Sequence, residues 1–139
     1  MRQRHSFCRL ACHIVCSTKH RIPFIETEEE CDTVLHFMEI KARELDCFIE
    51  ERGGWREHVH LLVQWRPTVP LSVLYGQMKG LSATMWRRRS PERPFKWEDG
   101  VFAKTVDPDC ADDLRRYIRN QWSRHESGLI LPQLETSTS

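Results

Sequence analysis

The fold class predicted is an α+β sandwich, an antiparallel sheet with helices on one face and a last helix that carries a tyrosine. Three observations predict it. Val59, Leu61, Val63 and Trp65 alternate with His58, His60, Leu62 and Gln64, the period of a strand. Cys31, Val34, Leu35, Met38, Ala42 and Leu45 repeat at helical spacing instead. Strand-type and helix-type segments then follow one another as strand–helix–strand–strand–helix–strand, plus a terminal helix. That is the split βαβ order of a ferredoxin-like or RRM-like sandwich.

The first strand is expected over residues 7–17, with Cys8, Leu10, Cys12, Ile14 and Cys16 on one face and Ala11, His13 and Val15 on the other. Pro23 ends it, because proline has no N–H to offer a neighbouring strand. Thr27 is an N-cap with Glu30 as capping-box partner, and Glu28, Glu29 and Glu30 sit in the first turn, where the helix dipole favours acids. A helix is therefore expected over 28–45. Residues 47–50 read as a short strand that Arg52, Gly53 and Gly54 turn into the histidine strand.

A linker at 67–70 leads to a second helix over 72–89, with Leu74, Met78, Leu81 and Met85 on its buried stripe. Gly76 and Gly80 weaken it locally and leave room for close packing or a ligand backbone. Residues 94–106 form a broken extended stretch with a turn at Glu98, Asp99 and Gly100. Asp107 or Asp109 caps a third helix running to Arg124, with Leu114, Ile118 and Trp122 as packing stripe and Tyr117 and Gln121 as an i,i+4 pair beside it. One domain over 1–127 and a flexible tail over 128–139 complete the reading. The first and third strands are central neighbours in such a sandwich, so His58 and His60, with His13 beside them, share the face left open by the helices.

Composition narrows the function classes. No apolar run approaches the roughly 20 residues of a membrane span, and the start lacks the apolar core of a signal peptide. A cytoplasmic protein with no membrane partner is expected. In a reducing compartment the six cysteines stay free thiols. Cys8, Cys12 and Cys16 lack the paired Cys-x2-Cys spacing of zinc sites and read as small apolar residues. A net charge of +1 does not mark a nucleic-acid binder, but the cations are unevenly placed. Arg87, Arg88, Arg89, Arg93 and Lys96, then Arg115, Arg116 and Arg119, form clusters that suit phosphates.

Two histidines two residues apart on a strand leave the same face and can grip one metal ion between them, or can serve only as surface or hydrogen-bonded histidines. His13-Ile14-Val15-Cys16-Ser17-Thr18-Lys19-His20-Arg21 resembles the opening of the IS200/IS605-type single-tyrosine transposases of the HUH superfamily, which include the REP-associated tyrosine transposases. His58-Val59-His60-Leu61-Leu62 resembles their His-hydrophobic-His motif, Gln77-Met78-Lys79-Gly80-Leu81-Ser82 their Lys-Gly-x-Ser segment, and Tyr117-Ile118-Arg119-Asn120-Gln121 their tyrosine helix. Glu57 departs from the family's usual Asp but keeps the charge.

The resemblance implies a metal-dependent enzyme that cleaves and rejoins single-stranded DNA at hairpin ends during transposition. Tyr117 would attack the scissile phosphodiester and leave a 5′-phosphotyrosine and a free 3′-hydroxyl. A phenol of pKa about 10 is a weak nucleophile at neutral pH. A divalent ion, Mg²⁺ or Mn²⁺, on His58 and His60 would polarise the phosphate, with Gln121 as the implied third ligand. Imidazole donors suit Mn²⁺ better than Mg²⁺. Lys79, Arg87, Arg88 and Arg89 are candidates for DNA backbone contacts, and Trp86 or Trp97 for stacking on an unpaired base. The resemblance further implies a homodimer with composite active sites, or a monomer in the REP-associated branch.

Two readings compete. A non-catalytic RRM-like module would hold single-stranded nucleic acid on its open sheet, but such sheets present aromatics on their central strands. Here His13, His58 and His60 take those positions, which favours the enzyme. A zinc module on residues 8–20 is the other.

Overall fold

The computed structural model describes residues 8–135. Four strands, β1 (Ala11–Ser17), β2 (Phe48–Trp55), β3 (His58–Gln64) and β4 (Phe102–Val106), make one antiparallel sheet in the order β2-β3-β1-β4. Helices α1 (Glu28–Glu44) and α2 (Leu71–Arg89) cover one face, and α3 (Asp112–Arg119) and α4 (Gln121–Ser127) pack on the other beside β2 and β3. The α+β sandwich read from the sequence is the one observed.

Alternation along the central strands separates the two sides. Cys12, Ile14 and Cys16 of β1 and Val59, Leu61 and Val63 of β3 enter the main core with Val34, Leu35, Met38, Leu74 and Met78. Each of the valine, leucine, isoleucine and methionine side chains, fully buried, contributes about 1.5–3 kcal/mol of hydrophobic stabilisation. Ala11 and Leu62 lie on the opposite face and meet Ala111 and Ile118. Helix α1 starts as its cap predicts: Thr27 Oγ1 accepts from the Glu30 N–H at 3.1 Å. Cys12 and Cys16 are buried in the core and His13 faces the other way, so the structure does not gather residues 8–20 into a zinc module. No described helix is long and apolar enough to cross a membrane.

Several local expectations are corrected. Gly53 and Gly54 do not turn the chain; they lie inside β2, and the turn falls at Arg56 and Glu57. They are small because both sides press on them. A Cβ on Gly53 would stand 1.9 Å from the Ile118 carbonyl oxygen, and one on Gly54 would stand 2.8 Å from Cys31 Sγ. The buried stripe of α2 is Leu74, Met78, Ser82 and Trp86, an i,i+4 row, while Leu81 and Met85 are only half-buried. Nothing approaches Gly76 or Gly80. The expected single C-terminal helix is divided at Asn120 into α3 and α4.

The expected second basic cluster is neutralised. Arg115 pairs with Glu50 at 2.9 Å and Arg119 with Glu51 at 2.8 Å, both on β2, and Arg116 pairs with Asp113. These two cross-element pairs fasten α3 to the sheet. The stretch expected as a flexible tail from 128 folds back as far as Glu135, through a 3-10 turn at Pro132–Leu134. Its last residues, 136–139, lie outside the described part.

Candidate active site

His58 and His60 rise from the open side of β3, where Ser17 and Val15 are their partners on β1. Both are buried, at 3% and 0% exposure. Each ring is held from behind. His58 Nδ1 lies 2.8 Å from Glu57 Oε1, and His60 Nδ1 lies 2.9 Å from His13 Nε2. These contacts set the rings so that both Nε2 atoms face one point. Among the described residues neither Nε2 makes a well-aligned hydrogen bond, so two buried imidazole nitrogens stand there without a proper partner.

Helices α3 and α4 bring the remaining groups to the same point. Tyr117, Gln121 and His125 are spaced i, i+4 and i+8 along them and face the sheet together. Tyr117 and Gln121 are buried, and the Tyr117 ring meets His60 edge-on at 6.2 Å. His125 stacks on Trp55 at 5.1 Å and meets His58 edge-on at 4.9 Å. The docking depends on Gly53, which lets the Ile118 carbonyl lie against β2.

The centre of this group is filled by the Glu135 carboxylate. Oε1 lies 3.0 Å from His58 Nε2 and 3.1 Å from His125 Nε2. Oε2 accepts from the Tyr117 hydroxyl and from Gln121 Nε2 (2.9 Å), and lies 3.4 Å from His60 Nε2. The Leu131 N–H donates to the Tyr117 hydroxyl oxygen at 2.9 Å, which closes the tail over the tyrosine. Arg124 places its guanidinium 4.8 Å from the Tyr117 ring centroid.

The electrostatics follow from this packing. Burial alone would raise the Glu135 carboxyl, but His125, His58 and His60 hold it far below the ordinary range. Burial and the bond to Glu135 push the Tyr117 hydroxyl up to about 12. Burial would lower His58, yet Glu135 and Glu57 raise it above the usual imidazole value. Burial lowers His60, and burial with the neighbouring His60 takes His13 to about 3.

This donor set fits a divalent cation. His58, His125 and Glu135 offer ligand atoms within 4.8 Å of one another, and the unpartnered Nε2 of His60 faces the same carboxylate. Turning the Gln121 amide would present its oxygen as a further donor. The mixed imidazole and oxygen set suits Mn²⁺-like ions better than Mg²⁺.

The structure thus brings Tyr117, His58, His60 and Gln121 together in one chain. It does not bring Lys79, Arg87, Arg88 and Arg89 to them, since α2 lies across the sheet. The Lys79 ammonium donates to the Asp99 and Gly100 carbonyls at 2.9 and 3.3 Å, whereas Arg87, Arg88 and Arg89 are exposed at the end of α2. Trp86 and Trp97 are buried in the core. The sequence reading missed His125 and Glu135. The i+4 step from Gln121 was a usable signal for His125; Glu135 had none, because only the return of the tail places it.

Two of the solved structures that share the fold are similar to this chain over most of its length. A protein from Deinococcus radiodurans R1, assigned as a transposase, superposes with a TM-score of 0.69 at 20% identity, over 88% of this chain and 98% of that one. A REP-associated tyrosine transposase bound to a REP hairpin superposes with a TM-score of 0.63 at 11% identity, over 94% of this chain and 76% of that one. No curated protein sequence matches the chain. The family model described as "Transposase IS200 like" matches residues 6–121, most of the length and every motif from His13 to Gln121, and the chain belongs to that family.

Proposed function

We propose that the protein cleaves and rejoins single-stranded DNA through a 5′-phosphotyrosine on Tyr117. The observation that carries the reading is the convergence of Tyr117, His58, His60 and Gln121 on one carboxylate. An anionic group with two oxygens already sits among them, as a phosphate would. In the reaction Tyr117 Oη bonds to phosphorus as the bond from phosphorus to the 3′-oxygen breaks. The phenol's proton is matched by the proton the 3′-oxygen takes up, so a 3′-hydroxyl results. Rejoining is the reverse step and needs no nucleotide cofactor.

His58 and His60, with Gln121 as third ligand, would hold a divalent ion, and His125 and Glu135 are close enough to join them. Bound there, the ion supplies charge neutralisation at a phosphate oxygen. Glu57 and His13 orient the two histidines. Glu135 sits where Tyr117, His58 and His60 converge, so a DNA phosphate that reaches Tyr117 would displace it from the tyrosine. A hairpin is the DNA end we propose, in keeping with the hairpin bound by the similar REP-associated transposase.

The decisive experiment exposes wild type, Tyr117→Phe and His58→Ala to labelled single-stranded hairpin DNA from the gene's flanks, with Mn²⁺ or with chelator. A metal-dependent covalent adduct is expected from wild type and from neither variant. An adduct that persists in Tyr117→Phe rejects the nucleophile. Tight metal-dependent binding with no adduct favours the non-catalytic module.

A further inference from the structure

At the end of β1 a second cavity, of about 330 Å³, opens outside the histidine site. Lys19, Arg87 and Lys96 line it together with His20, and among the described residues no carboxylate does. Its apolar wall is made by Ile22, Pro94 and Phe95. Ile22 is 59% exposed at the rim, a large apolar side chain left in water. The walls are preformed. Thr18 bridges to Trp97, the Lys19 N–H donates to the Lys96 carbonyl at 2.8 Å, and Thr18 Oγ1 donates to the Ile22 carbonyl at 2.9 Å. Phe95 is seated by Phe24, with centroids 3.7 Å apart and planes at 10°.

Two further facts tie the cavity to the catalytic face. His20 and Arg21 adopt φ of 59° and 56°, a left-handed backbone that costs free energy in residues with a Cβ and persists at ligand-binding segments. Arg21 pairs with Glu57 at 3.2 Å, the carboxylate that holds His58, and the Thr18 N–H donates to the Glu57 carbonyl at 2.9 Å. The cavity therefore begins one residue beyond the Ser17–His58 strand pair.

We propose that this cavity seats one unpaired nucleotide of the single-stranded DNA, at the His58 end of the strand that carries the two histidines. Its base lies against Ile22, Pro94 and Phe95, and its phosphate on Lys19, Arg87 and Lys96. A purely apolar ligand would leave three cations unmatched, whereas a nucleotide offers an apolar base and an anionic phosphate together. The proposal rests on the single-strand reading above, and the test separates the two.

A randomised pool of single strands carrying 5-iodouracil in place of thymine is irradiated with wild-type protein, and the crosslinked peptides are mapped. Crosslinks within residues 18–22 or 94–96 are expected; crosslinks confined to other segments overturn the pocket. In parallel, an Arg87→Glu/Lys96→Glu variant, checked by thermal melting, should bind the pool at least tenfold more weakly at 0.1 M salt. Its slope of log affinity against log salt should fall by about 0.7, the worth of the one single-strand phosphate contact the cavity makes. Unchanged affinity overturns the pocket alone. Failure of wild type to bind any single strand overturns the DNA reading and the pocket with it. Should the charge reversals unfold the chain, the wild-type crosslink map decides.

Discussion

His13 Nε2 stands 2.9 Å from His60 Nδ1, and this contact decides which nitrogen of His60 is free. With Nδ1–H donated to His13, His60 presents a bare Nε2 to a cation. His13→Leu removes the acceptor and should weaken Mn²⁺ binding about 10–100-fold, the usual cost of losing a partner behind a ligating histidine. His13→Gln keeps an acceptor and should recover most of the affinity. Titration calorimetry with Mn²⁺ checks both; equal affinity for wild type and His13→Leu would reject the role.

The same pair gives a pH dependence. His13 is held at about 3, below its ordinary 6.5, so between those values the unfolded chain binds the proton and the folded chain does not. Stability from this group is full above pH 6.5 and is lost as pH falls toward about 3. His58, raised above 6.5, acts in the opposite sense, stabilising below 6.5 and losing that contribution as pH rises through its folded value. Urea midpoints at pH 7 and pH 5 should fall less in His13→Gln than in wild type.

Glu135 accepts from the Tyr117 hydroxyl, and with burial this bond keeps the Tyr117 proton on. Glu135→Ala should lower the Tyr117 pKa from about 12, with burial, the larger cause, still holding it above the ordinary phenol value, read by ultraviolet titration in a Tyr75→Phe background. Adduct formation should rise about tenfold, equivalent to about 1.4 kcal/mol. If Mn²⁺ affinity and adduct yield both fall instead, Glu135 acts as a required ligand and not as an occupant.

Gly53 sets the position of the tyrosine. The Cβ of Gly53→Ala would meet the Ile118 carbonyl at 1.9 Å, so α3 must move. Overpacking of this kind costs about 1–3 kcal/mol, and adduct formation should fall far more than stability does. Chemical denaturation alongside the adduct assay separates the two effects.

Within the single chain Tyr117 lies against its own His60, the arrangement of a site completed without a partner. We therefore expect no adduct from a mixture of Tyr117→Phe and His58→Ala proteins. A dimer with composite sites would recover activity in that mixture, since one partner would lend its histidines and the other its tyrosine.

The sequence by itself determined whatever rests on neighbours along the chain. The alternation from His58 to Gln64 put both histidines on one strand face, Thr27 started α1, and the i,i+4 step joined Tyr117 to Gln121. These are short-range consequences of side-chain period and capping, and the segment motifs allowed the transposase family to be read. Only the tertiary structure decided what depends on distant segments meeting. Gly53 and Gly54 read as a turn until α3 and α1 were seen pressing on them. Arg115 and Arg119 read as free cations until β2 offered Glu50 and Glu51. Glu135 read as tail, because a lone carboxylate carries no local mark of the three histidines that its burial and charge bring it to.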